Sequence, residues 1–210
     1  MLIDISPPIT EHLRVFPGDT PPSREVLLDT ARGDNITLST LRSTVHLGAH
    51  VDGENHYAAG GRGVDQWPLE RFVGLCQVVS AGASPGGRIG AADLSAPPET
   101  VSHARLLIRT GSHPDPNRWT GDFAGLEPAL IAELARCGVR LIGVDTPSVD
   151  PADSRDLPAH AACHAGDVTI LEGLTLGEVP DGVYELIALP LRLVGFDGSP
   201  VRAVLRTVPD

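Results

Sequence analysis

The clearest periodicity in the chain falls at residues 128–137. Leu130, Ile131, Leu134 and Cys137 recur on one face at helical spacing. Pro128 suits a first turn and Gly138 follows as a stop, so an amphipathic helix is expected here. Elsewhere the apolar positions come in short runs. Residues 2–5, 76–79, 106–108, 140–144, 168–171, 185–193 and 201–205 read as strands. The stretch 36–45 alternates in part through Ile36, Leu38, Leu41 and Val45 and carries several Thr and Ser, which also predicts a strand. A turn is expected at 15–19, a short helix or turn at 65–72, and a short helix at 159–165. The Gly- and Pro-rich region 80–102 reads as a surface loop. Many short strands with few helices predict an α/β fold built on a mixed sheet, not a doubly wound one. The 210 residues fit one domain.

Composition narrows the core and the partners. Aromatic residues make up only 4% of the chain, so the core must rest on Leu, Val, Ile and Ala. A formal charge of -11 argues against nucleic acid and against anionic membranes. No apolar run reaches membrane-spanning length, and the N-terminal residues lack the basic-then-apolar order of a secretory signal. Cys76, Cys137 and Cys163 are scattered and odd in number, which suits a reducing cytoplasm. They read as structural filler, with Cys163 drawing notice only for its nearness to His160 and His164.

Residues 45–57 read VHLGAHVDGENHY, so His46, His50, Asp52 and His56 crowd four ligand-type side chains together. Imidazole and carboxylate are the usual ligands of zinc and manganese. His46 and His50 have the i,i+4 spacing of a helical metal pair, but Gly48, Gly53, Val45 and Val51 disfavour a helix. A straight strand would hold the two histidine α-carbons about 13 Å apart. The chain must therefore bend, and Gly48 is where bending costs least. A strand kinked at Gly48 would bring His46, His50 and Asp52 to one metal. Structural zinc sites commonly use cysteine, and this stretch has none, so a catalytic site is the better expectation. A second cluster, His160, His164 and Glu172, lies far along the chain and is weak taken alone. Asp19 and Asp145 are candidate partners of ligand histidines, although turn-stabilising roles suit them better. His12, His103 and His113 sit among loop residues and are expected to be exposed.

The motif HLGAHVDGENH resembles the HxGTHxDxPxH motif of the cyclase-like metal hydrolase family. Residues 138–151, 159–174 and 183–206, with the N-terminal DISPPIT and VFPGDTP, resemble the bacterial-type kynurenine formamidases of that family. The resemblance covers nearly the whole chain. It implies a swivelling β/β/α fold over 1–210, typically dimeric. It implies two divalent metal ions, with zinc the expected metal and manganese the alternative. His46, His50 and Asp52 would hold one ion, Asp52 would bridge to a second held with His160 and Glu172, and Glu172 would touch both. His56 would be the general acid/base, and Phe16 stands where these enzymes have a substrate-contacting Trp. Ala49 and Glu54 replace the Thr and Pro of the motif. The implied reaction is hydrolysis of an aryl formamide, N-formylkynurenine, to kynurenine and formate. Three rivals remain at this level: a single-metal hydrolase of a cyclic amide, as in isatin hydrolases; a non-haem iron oxidoreductase on the same two-His, one-carboxylate set; and a non-catalytic binding protein.

Overall fold

Leu106, Leu107 and Ile108 are all fully buried, although consecutive strand residues point to opposite faces. A strand without an exposed face must be covered on both sides. The computed structural model, which describes residues 1–208, shows how. The first half of the chain forms β1 (Leu2–Asp4), β2 (Ser23–Leu28), β3 (Leu38–Arg42), β4 (His50–Asp52), β5 (Val73–Ser80), β6 (Arg88–Ile89) and β7 (Arg105–Arg109). The second half forms β8 (Gly125–Leu126), α1 (Pro128–Arg136), β9 (Leu141–Val144), α2 (Pro158–Ala165), β10 (Thr169–Glu172), β11 (Gly182–Ile187), β12 (Gly198–Pro200) and β13 (Val204–Thr207).

Nine strands make one sheet in the order β1-β13-β11-β5-β7-β9-β10-β4-β12. Its centre, β5-β7-β9-β10, is parallel, and the strands on either side join it antiparallel. Leu106, Ile108, Ile142 and Ile170 face a core closed by Leu130, Ile131 and Leu134 of α1 and by Ala159 and Cys163 of α2. Leu107, Leu141 and Leu171 face the other way. They meet Val51 from one end of the strand order and Leu186 and Leu205 from the other, so the sheet curls around this second core. Each fully buried Leu or Ile contributes roughly 1.5–3 kcal/mol. The mixed α/β architecture agrees with the sequence expectation.

The differences are local. The strand expected at 36–45 is the shorter β3, and its partner β2 had no sequence signal. Val26, Leu27 and Leu28 are consecutive rather than alternating, and this hairpin buries none of its residues fully. The strand expected at 185–193 stops at Ile187, ahead of Pro190, which has no N–H to give a ladder. Residues 80–102 are not wholly at the surface, since Ile89 and Val101 are buried. Among the described residues no helix is long and apolar enough to cross a membrane.

Candidate metal centre

Two adjacent strands near one edge of the sheet set the site. β4 pairs antiparallel with β10, and His50 stands directly opposite Glu172. Two glycines permit the pairing. Gly48 has φ +58° and turns the chain into β4 at the position where the histidine spacing demanded a bend. Gly173 has φ +69°, and a Cβ there would lie 2.1 Å from the Gly48 carbonyl oxygen. His46 therefore lies outside the strand and reaches back over it.

Asp52 is the centre of the cluster. Its carboxylate is 1% exposed, and neither oxygen has a hydrogen-bond partner. Around it lie His46 Nδ1 at 3.1 Å from Oδ1, His50 Nε2 at 3.6 Å from Oδ1, and His160 Nε2 at 3.6 Å from Oδ2. Glu172 completes the ring, with Oε2 3.3 Å from His50 Nε2 and Oε1 3.9 Å from His160 Nε2. Burial opposes charge on Asp52, but the His160 and His46 rings outweigh it and hold the carboxyl below the usual range. Burial likewise opposes charge on His46 and His160. Asp52 on the former and Asp150 with Asp52 on the latter prevail, raising them to about 9 and about 10. Buried carboxylate oxygens without partners are costly, and a cation between them and the imidazoles would satisfy every group. The donor set is the His/carboxylate chemistry of zinc or manganese, so these residues fit a divalent metal.

The rings are held from behind. His50 Nδ1 lies 2.9 Å from the Gly48 carbonyl, which orients Nε2 into the cluster. His160 stands in the first turn of α2, with Nδ1 2.8 Å from Asp150. Asp150 also accepts the backbone N–H groups of Ala159 and His160 and pairs with Arg88. Asp197 lies 3.0 Å from His46 Nε2 and 3.7 Å from His56 Nδ1. His56 is the most open of the group, and its ring centroid is 4.1 Å from that of His46. Burial lowers its pKa, with the His46 and His160 rings adding to the effect and the Asp52 and Glu172 carboxylates opposing it.

Asp150 and Asp197 had no sequence signal, because a lone Asp before Pro or Gly is ordinary turn chemistry. Asp145 and Asp19 line the cavities beside the cluster, but neither pairs with one of its histidines. Asp145 accepts from Thr110 and Gly111 and braces the turn after β7, while Asp19 is 3.4 Å from the Thr44 hydroxyl. His164 is half exposed and lies 3.5 Å from Glu54. Cys163 is fully buried in the helical core. His113 is not exposed as expected: its Nδ1 is buried without a partner. Glu54 is buried against Arg62 with two 2.7 Å contacts, and the Arg62 guanidinium stacks 4.1 Å over Trp67. Glu54 is not among the residues lining either cavity beside the cluster; its contacts are to Arg62 and His164.

Two cavities flank the cluster and share Phe16, His46, His50 and Pro147 as a common wall. One, about 350 Å³, opens over His56, His160 and Glu172. The other, about 300 Å³, runs from Gly48 toward Trp119 and Glu178. Phe16 meets Trp119 edge-on at 4.7 Å, an aromatic partner that the sequence did not point to.

The family model described as "Putative cyclase" matches residues 3–151, and the chain belongs to this family. It is 44% identical to the curated kynurenine formamidase of Bordetella avium (strain 197N), over 98% of this chain and 97% of that one. A solved structure described as a potential metal-dependent hydrolase with cyclase activity superposes with a TM-score of 0.84 at 26% identity, covering 100% of this chain and 99% of that one. Isatin hydrolase A from Ralstonia solanacearum shares the fold, with a TM-score of 0.80 at 21% identity over 98% of this chain and 91% of that one.

Proposed function

We propose that this protein is a metal-dependent amidohydrolase that cleaves the formyl C–N bond of N-formylkynurenine, or of a closely related aryl formamide, giving kynurenine and formate. The observation that carries the reading is the partnerless buried carboxylate of Asp52 among three imidazoles, beside two substrate-sized cavities. The 44% identity to a kynurenine formamidase supports the choice of substrate. His46, His50 and Asp52 would hold one ion, and Asp52, His160 and Glu172 a second, with zinc or manganese as the metal. When bound, such ions act as Lewis acids toward water and toward a carbonyl oxygen. His56 takes a proton as water adds to the formyl carbon and gives one to the aryl nitrogen as the C–N bond breaks. Asp197 faces its Nδ1, which leaves Nε2 to carry that proton. Phe16, on the wall shared by the cavities, packs against the substrate ring.

The same reading takes 1–210 as one domain acting in the cytoplasm as a homodimer. Support for the dimer comes from the open β2–β3 hairpin, where Leu27, Leu38 and Leu41 are about half exposed.

The test is hydrolysis of N-formylkynurenine with metal analysis of the same sample. Two ions per chain and formate release without oxygen uptake are expected. One ion per chain would favour the single-metal cyclic-amide version, and inactivity of the metal-loaded protein on every aryl formamide would sink the reading. Asp150→Asn, which keeps the shape but weakens the hold on His160, should lower metal affinity about 10–100-fold. Competition with a chelating dye would measure it, and an unchanged affinity would remove Asp150 from the supporting shell.

A further inference from the structure

The cavity that runs from His46 toward Trp119 is shaped by groups that the hydrolytic step does not use. Two segments build one wall of it. The Arg14 backbone N–H donates to the Pro116 carbonyl at 3.0 Å and its Nε donates to the Asn117 carbonyl at 3.3 Å. Phe16 and Trp119 then pack against each other across the same pair of segments. With Nε engaged, the two terminal nitrogens of Arg14 have no hydrogen-bond or ion-pair partner among the described residues. Glu178, on the turn after β10, lines the same cavity and also has no ion-pair partner among the described residues. A third group points the same way. His113 lines the cavity and stacks edge-on at 6.0 Å from Phe123, yet its Nδ1 is buried and partnerless, a condition that a bound polar group relieves.

These features are a cation, an anion and an aromatic pair along a cavity whose inner end is the proposed metal centre. Resting on the formamidase reading above, we propose that this cavity is the recognition site for an α-amino-acid tail. Arg14 pairs with the substrate carboxylate, Glu178 pairs with its ammonium group, and the packed Phe16–Trp119 pair forms a wall against the aryl ring between tail and formamide. The planar fork of Arg14, oriented through its Nε, presents two N–H groups side by side, the geometry that binds a carboxylate. The substrate class is then a zwitterionic aryl formamide, and a formamide without the tail is a poor substrate.

The experiment compares kcat/KM for N-formylkynurenine, for its analogue lacking the α-carboxylate, and for N-formylaniline, in the metal-loaded wild type, Arg14→Ala and Glu178→Gln. The preference of the wild type for the full substrate over the carboxylate-free analogue should fall roughly tenfold to a hundredfold in Arg14→Ala, the range for a lost charged hydrogen bond. Glu178→Gln should lower the preference for N-formylkynurenine over N-formylaniline. Because each comparison is a ratio within one variant, a general loss of folded enzyme cancels. If Arg14→Ala depresses all substrates by the same factor, Arg14 serves only to hold the 116–117 segment and the proposal is overturned. A wild type that hydrolyses N-formylaniline as well as N-formylkynurenine overturns it too. Inactivity of the wild type on all three substrates would instead overturn the formamidase reading.

Discussion

Asp52→Asn should lose both its bound metal and its activity, with kcat/KM down by at least about 10⁴-fold, since metal-assisted catalysis supplies most of the acceleration in such reactions. Asn has the same shape but no charge, and one of its two terminal atoms is a donor rather than an acceptor. The native carboxylate turns one oxygen toward His46 and His50 and the other toward His160, with neither satisfied by protein. A single neutral substitution therefore damages both halves of the centre. Metal content per chain and the rate with added zinc or manganese are the measurements. Full metal occupancy in the variant, with most activity intact, would show that the cluster is not organised around this residue.

His56→Ala should behave differently, keeping its metal while kcat falls by about 10²–10⁴, the usual contribution of a positioned acid or base. His56 is the most solvent-open of the clustered imidazoles, and its link to the group runs through Asp197 and the face of the His46 ring. Removing it leaves His46, His50, Asp52, His160 and Glu172 in place. Added imidazole should restore part of the rate, because the vacated space opens into the larger cavity. Stoichiometric loss of one ion would instead make His56 a ligand. That outcome has a geometric basis, as His56, Asp52 and His160 offer donor atoms within 4.8 Å of one another.

The fold was legible where one physical rule dominated. Helix α1 follows from an apolar stripe with Pro before it and Gly after it, and the central strands follow from short fully apolar runs. The hairpin β2–β3 was half legible, because strands that bury nothing leave no periodic trace. At the site, the bend at Gly48 follows from the reach of two imidazoles, and the structure has it there. The approach of His160 and Glu172 to Asp52 rested on family resemblance alone, since no local pattern encodes which distant strands pair. Asp150, Asp197, Trp119 and Arg14 were invisible for the same reason. Each is an ordinary residue in a loop, and only the third dimension gives it a neighbour.

The pairing of His50 with Glu172 has a consequence for how the protein is made. On the ribosome, the segment from His46 to His56 emerges first and stays an open cluster of imidazoles while β5, β7, α1 and β9 are still being synthesised. Glu172 takes its place only when β10 docks on β4, and a slip of one residue in that pairing would turn it to the opposite face. The nascent chain thus presents a loose chelator well before it has a site of defined geometry. On the metal-centre reading, a site of defined geometry exists only after β10 has docked on β4, so metal binding at that geometry is a late step.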